Sequence, residues 1–212
     1  NQRIRQITLD HFKVKFFFFK NIFFQSMPIT IAILGYSVAA TVVFTYVGLF
    51  GEYAVAGYGS ATRIEQVLLL PVLGINTAII SIIAQNIGAK YYERVEQSYY
   101  TSIKYGFIIM LIAGVIIFIS ADIVPKFFST NPEVIMHGSM YLKISAFILP
   151  SYPIFFLSNG FFMALKKSEK AMLNNIVRNV VVPIISFYIA RAINADFKTF
   201  FYIWGLFQWL IS

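Results

Sequence analysis

The chain has no cysteine and only two histidines in 212 residues. That argues against a thiol catalyst or a thiolate or imidazole metal site. Charge is scarce too: 12% of residues are Asp, Glu, Lys or Arg, about half the roughly 25% usual in a soluble domain. Acids are the scarcer sign, nine against 17 basic residues. None falls between Phe23 and Val47, or between Gly138 and Leu165. No nucleophile–base constellation, phosphate loop or metal-ligand spacing occurs, so neither an enzyme nor a cofactor or metal is expected.

What fills the chain instead is apolar. Hydrophobic residues make up 58% of it, with 23 Phe and 13 Tyr, and mean hydropathy is +0.73. This composition suits a solvent that is itself apolar, with aromatics at lipid-facing and interfacial positions. The net charge of +8 could serve nucleic acid, but its distribution fits membrane topology better, so membrane lipid is the expected partner and nucleic acid is not.

The stretch Ala54–Ala89 organises the rest. A spanning helix needs about 20 apolar residues, whereas roughly 33 precede Gly88 here, about 50 Å if straight. Such a helix must tilt, protrude or kink, and Pro71 is the expected kink because it cannot donate to the carbonyl four residues back. Around it we place a first span at 23–47, a third at 105–119, a fourth at 138–165 bent by Pro150 and Pro153, and a fifth at 171–193. Residues 90–104 read as a polar, Tyr-rich connection and 120–137 as a loop. Residues 3–22, basic and Phe-rich, read either as a helix on the membrane surface or as an ordinary linker helix. The chain opens at Asn1 without a signal-peptide pattern and stops at Ser212 within a short apolar run. We therefore read it as a fragment of a longer protein.

Basic residues alternate strongly between sides. Arg3, Arg5, Lys13, Lys15, Lys20, Lys90, Arg94, Lys104, Lys166, Lys167 and Lys170 fall on one side, and Lys126, Arg191 and Lys198 on the other. The richer side, with the amino terminus, is then cytoplasmic. Pro28, Pro71, Pro150, Pro153 and Pro183 all sit within spans. They either shape packing or mark moving parts of a transporter.

Polar residues inside spans are costly and usually face a bundle interior or a wet cavity. Arg63 and Glu65 are two apart, about 200° around the helix, and cannot pair. Glu65 and Asn76, eleven apart, share a face with Tyr58 and Thr62. Glu65 either lines a substrate or cation path or is a buried acid paired with a base such as Lys143, although Lys143 is placed to snorkel outward. Asn159, Asn174, Asn175, Arg178, Asn179 and Gln208 are further polar residues, mostly expected as interhelical hydrogen-bond partners. Gly57, Gly59 and Ala61 allow close helix approach.

The pattern Gly57-x-Gly59, Arg63-Ile64, Pro71-x-x-Gly74-x-x-x-Ala78 and Gln85-Asn86-x-Gly88-Ala89 resembles the carboxy-terminal lobe of multidrug and toxic-compound extrusion (MATE) transporters. Pro28 and Pro183 match prolines of that family's seventh and eleventh helices. The resemblance implies an all-α polytopic bundle of about six transmembrane helices, one lobe of a two-lobe, twelve-helix protein. Residues 1–22 would be a cytoplasmic amphipathic linker between lobes, and 23–212 the carboxy-terminal lobe, truncated in its last helix.

The implied activity is export of drugs or other amphipathic or cationic small molecules by alternating access. Inward H⁺ or Na⁺ flow would drive it, from a bacterial inner membrane, with the missing amino-terminal lobe of the same chain as partner. The candidate path residues are Glu65, Arg63, Asn76, Tyr58, Asn159 and Arg178. Two departures matter. The seventh and tenth helices lack the acids that hold a cation in some members, and Leu165–Lys170 replaces a glycine-rich turn. A flippase of lipid-linked oligosaccharide shares the architecture, but would carry more basic residues towards its cavity than Arg63 and Arg178.

Overall fold

Long apolar runs separated by short polar turns force the backbone to satisfy its own hydrogen bonds, and in lipid that means helices. The computed structural model describes residues 16–212. Helices α1 (Phe16–Gly48), α2 (Glu52–Gly88) and α3 (Tyr92–Ser120) come first. A 3₁₀ turn, Val124–Phe127, leads to α4 (Pro132–Ile148) and α5 (Ser151–Ala164). Then α6 (Ser168–Ile176) passes through a π-helical turn, Val177–Val181, into α7 (Val182–Ala192), and α8 (Phe197–Leu210) follows.

Four segments are long and apolar enough to cross a membrane: α1, α2, α3 and the α6–α7 stretch. The pair α4–α5, bent by 54°, makes a fifth. With 14 residues, α8 falls short of a span. The expected all-α membrane bundle is therefore what forms, with α2 packed against α1, α3, α4 and α5.

Several boundaries differ from the sequence reading. Residues 92–104, read as a connection, are the opening turns of α3: their polar side chains face outward while Val95 is buried, so the helix continues beyond the apolar core. The fourth span begins at Pro132, inside the supposed loop. Asn131 caps it by accepting from Glu133 N–H, and Pro132 occupies a first-turn position where its missing N–H costs nothing. Helix α2 stays helical through Pro71. Of the proposed surface helix, residues 1–15 lie outside the described residues and 16–22 are the start of α1.

Three helix ends share one device. Lys90, Lys166 and Asn194 adopt positive φ, +61°, +58° and +50°. Behind them the N–H groups of Tyr91, Lys167 and Ala195 bond back to the carbonyls of Asn86, Phe162 and Ala190 at 2.9, 2.9 and 2.8 Å. This is the Schellman stop, normally favouring glycine. Lys166 thus performs the turn that the family resemblance assigns to a glycine-rich segment.

The α2–α4 crossing is closest at Gly57. A Cβ there would lie 2.6 Å from the Val134 carbonyl oxygen and 2.8 Å from Gly138 N. Gly59 is no such contact point, since a Cβ would meet only Phe44, at 3.9 Å. We expect Gly57→Ala to lower stability by about 1–3 kcal/mol through overpacking. Gly74→Ala, with open space around it, should be neutral or gain about 0.5–1 kcal/mol from helix propensity. Thermal unfolding of both variants in detergent tests the pair.

Lys143 does not approach Glu65. It bonds Asp122 at 2.8 Å in the 121–123 turn, where Ser139 donates to the same carboxylate. The Lys143 hydrogen bond, then that of Ser139, holds the Asp122 carboxyl below its usual range. A lowered folded value means the contribution is complete above about pH 4, the ordinary carboxyl range, and is lost as pH falls through the folded value. In melting curves taken from pH 6 down to pH 2, this acid-side loss should be present in the wild type and absent in Asp122→Asn.

Candidate functional site

Glu65 lies on the face of α2 that meets the α4–α5 bend. It is buried, and each carboxylate oxygen has its own tyrosine: Tyr141 of α4 donates to Oε2 and Tyr152 of α5 to Oε1. The bend itself follows from Pro150 and Pro153 flanking Ser151. It turns α5 so that the two hydroxyls reach the acid from different helices.

Tyr58, two turns before Glu65 on α2, packs edge-on to Tyr141 at 4.8 Å and stacks on Phe201 of α8 at 5.3 Å. Phe201 in turn contacts Tyr141 at 4.8 Å. Some aromatics expected at the lipid boundary therefore form the core around the acid, while Phe23, Phe24, Phe127 and Phe147 are exposed.

Pro183 cannot donate to the carbonyl four residues back, and the helix accommodates this by a π turn over Val177–Val181. That turn carries Arg178 and Asn179 into the bundle. The Arg178 guanidinium lies over the rings of Phe155 at 4.3 Å and Tyr152 at 5.3 Å. It donates to Ser151 Oγ at 3.2 Å, Ser212 Oγ at 2.6 Å and the Gln208 carbonyl at 3.4 Å. Tyr152 thus joins the two ionisable residues: its hydroxyl bonds Glu65 while its ring carries Arg178.

Two cavities flank this arrangement. One, of about 210 Å³, is lined by Tyr36, Tyr58, Tyr152, Phe155, Arg178, Asn179, Trp204 and Gln208, among others. The second, of about 360 Å³, is lined by Asn76, Asn159 and Asn175, with Tyr36 and Phe156 common to both. Amides are linked here across helices: Asn174 donates to Asn159 Oδ1 at 3.1 Å, and Tyr36 donates to Asn175 Oδ1 at 3.0 Å. Asn76 Oδ1 presses on Gly160, where no Cβ could fit.

Of the six candidates, Tyr58 and Arg178 line the first cavity and Asn76 and Asn159 the second, while Glu65 lies behind Tyr152, outside both linings. Arg63 is exposed and lines neither, because it points about 200° away from Glu65. The sequence reading missed Tyr141, Tyr152, Tyr36 and Trp204. A tyrosine inside an apolar span was the available signal, since a buried hydroxyl needs a partner. Among the described residues no cluster of three or more His, Asp or Glu could hold a metal.

A family model, MatE, matches residues 28–189. The chain belongs to the MatE family. It is similar to the probable multidrug resistance protein YpnP of Bacillus subtilis, 26% identical over 149 residues, covering 70% of this chain and 32% of that protein. It is also similar to an FAD transporter of Shewanella oneidensis, 32% identical over 91 residues, covering 43% and 20% respectively.

A solved outward-facing structure of a multidrug resistance MATE family transporter superposes with TM-score 0.89 at 23% identity, covering 97% of this chain and 46% of that one. That likeness shows the MATE fold. The chain spans 20% to 37% of the length of the curated relatives it matches. MATE relatives are multi-pass membrane transporters, not enzymes, and those from bacteria support the inner membrane as its location.

The Glu65 cluster gives an asymmetric expectation. Tyr141→Phe or Tyr152→Phe strands one buried carboxylate oxygen and should cost about 1–3 kcal/mol. Replacing the whole trio, Glu65→Leu with both tyrosines to Phe, should recover part of that loss, because no polar atom is left unpaired. Denaturant unfolding in detergent of the single and triple variants is the measurement, and a triple variant less stable than either single would contradict it.

Proposed function

We propose that this MATE chain forms one lobe of an exporter of amphipathic small molecules, driven by inward H⁺ or Na⁺ flow through alternating access. The observation that carries the reading is Glu65, a buried acid held by Tyr141 of α4 and Tyr152 of α5, on either side of a 54° bend. Binding a proton or Na⁺ at that carboxyl changes which groups the two hydroxyls satisfy. It therefore bears directly on the angle between the two helices. Glu65 belongs to the coupling ion in this reading, because its oxygens lie behind the tyrosines and do not line the cavity. The missing acids of the seventh and tenth helices leave Glu65 as the ionisable candidate in this lobe.

The substrate path runs along the two cavities, with the other lobe of the full-length protein as the opposite wall. Amphipathic substrates suit the mostly aromatic and apolar cavity walls, and they agree with the multidrug resistance name of the Bacillus relative and the FAD transporter name of the Shewanella one. The flippase alternative is not favoured: the relatives are MATE transporters, and Arg178 alone among the first cavity's lining residues is basic.

Glu65→Gln in the full-length protein keeps the shape and one accepting oxygen, its NH₂ can only donate to the second tyrosine, and it cannot exchange a charge. Ion-gradient-driven efflux from proteoliposomes should fall at least tenfold per folded molecule, while substrate affinity without a gradient changes little. Efflux equal to wild type for both a cationic and a neutral dye would remove Glu65 from the mechanism.

A further inference from the structure

Assigning Glu65 to the coupling ion leaves Arg178 without a task. Its side chain is 2% exposed, and it is the single charged residue lining the 210 Å³ cavity. No carboxylate among the described residues lines that cavity. Among the described residues Arg178 joins no ion pair, the one such pair being Lys143–Asp122. Glu65 acts on it only through space, across Tyr152, whose hydroxyl bonds the acid and whose ring carries the guanidinium. A buried charge without a directly bonded counter-ion is costly.

The donor count points the same way. A guanidinium carries five N–H donors, and three of them reach Ser151, Gln208 and Ser212. Its flat face is taken by Phe155. The other two donors have no acceptor among the described residues. On the same cavity, Trp204 Nε1–H is buried without a partner, and so is the Oε1 of Gln208, a side chain 4% exposed. Full positive charge, surplus N–H donors and an aromatic wall converge at one place. A cationic group would be repelled there, whereas an anionic one meets both the charge and the surplus donors.

We propose that this cavity binds the acidic head of an amphipathic substrate, a carboxylate or a phosphate monoester. Arg178 is its counter-ion and Trp204 a second donor. The inference rests on the reading of the chain as one wall of a substrate path. The cavity is smaller than the roughly 300–1,000 Å³ typical for a drug-sized ligand, so it takes the head alone. The body passes Tyr36 and Phe156 into the 360 Å³ cavity. There the unpartnered Nδ2 of Asn159 supplies a donor to a polar heteroaromatic ring. The same chemistry would seat the phosphate of an anionic lipid, and the test separates the two sources.

The experiment uses the full-length protein in phosphatidylcholine nanodiscs, with no ion gradient. Flavin mononucleotide and riboflavin differ by one phosphate, and their binding is read by flavin fluorescence. Fluorescein and rhodamine 6G offer an acid against a cationic ester on a similar ring system. Wild type should prefer flavin mononucleotide over riboflavin at least tenfold, and fluorescein over rhodamine 6G. Arg178→Gln should cut the phosphate preference below threefold, and Arg178→Lys should restore part of it.

Trp204→Phe keeps the ring and should weaken flavin mononucleotide severalfold with riboflavin unchanged. It decides the matter if Arg178→Gln fails to fold. If phosphatidylglycerol in the disc abolishes the preference, the acid head belongs to a lipid; if it does not, to the soluble substrate. Equal binding of the two flavins by wild type, stronger binding of rhodamine 6G, or a preference untouched by Arg178→Gln and Trp204→Phe would overturn the proposal. Because no gradient is applied, that failure is distinct from a failure of Glu65 to couple.

Discussion

A carboxyl group in a low-dielectric bundle must be surrounded by donors, and the geometry of this lobe is built around meeting that demand at Glu65. The donors come from α4 and α5, so the acid holds together two halves of a broken span and the central helix they lean on. In lipid there is little hydrophobic force between helices, and packing plus interhelical hydrogen bonds carry association. The Tyr58–Tyr141–Phe201 aromatic cluster supplies the packing, and the two hydroxyls supply the bonds.

Proline organises the other half. Pro150 and Pro153 bend the fourth span, and Pro183 is met by a π turn in the fifth. Each departure from regular helix delivers a polar side chain to the interior: Tyr152 and Ser151 in one case, Arg178 and Asn179 in the other. Pro71, by contrast, is accommodated within a continuous helix. The residue type sets where a helix loses a hydrogen bond, and the neighbours decide whether it breaks, widens or continues.

The hydropathy of the chain was enough to read the bundle, its five spans and the bend, because apolar length and proline are local properties. Glu65, Tyr58, Arg178, Asn76 and Asn159 were legible as polar residues where polarity is costly. Their partners were not. Tyr141 and Tyr152 are 76 and 87 residues from Glu65, and nothing in spacing relates them. Lys143 looked available to Glu65 because both lie in the outer part of their spans, but Asp122 stands closer to it across a turn. The start of α3 was missed because amphipathic turns beyond the lipid have the composition of a loop. The start of α4 was missed because its cap, Asn131-Pro132, also has the composition of a turn.

Lys90 and Lys166 close helices by taking a left-handed backbone conformation that glycine adopts more easily. Both lie on the face rich in basic residues. A glycine would make a better stop but would remove a positive charge from the side that the basic-residue count assigns to the cytoplasm, and such charges bear on the direction of insertion. One residue therefore serves two steps separated in time: its ammonium group acts while the chain is being inserted, and its backbone acts once the helices have packed. A substitution there is therefore read out twice, in the orientation of the inserted helices and in the stability of the packed bundle.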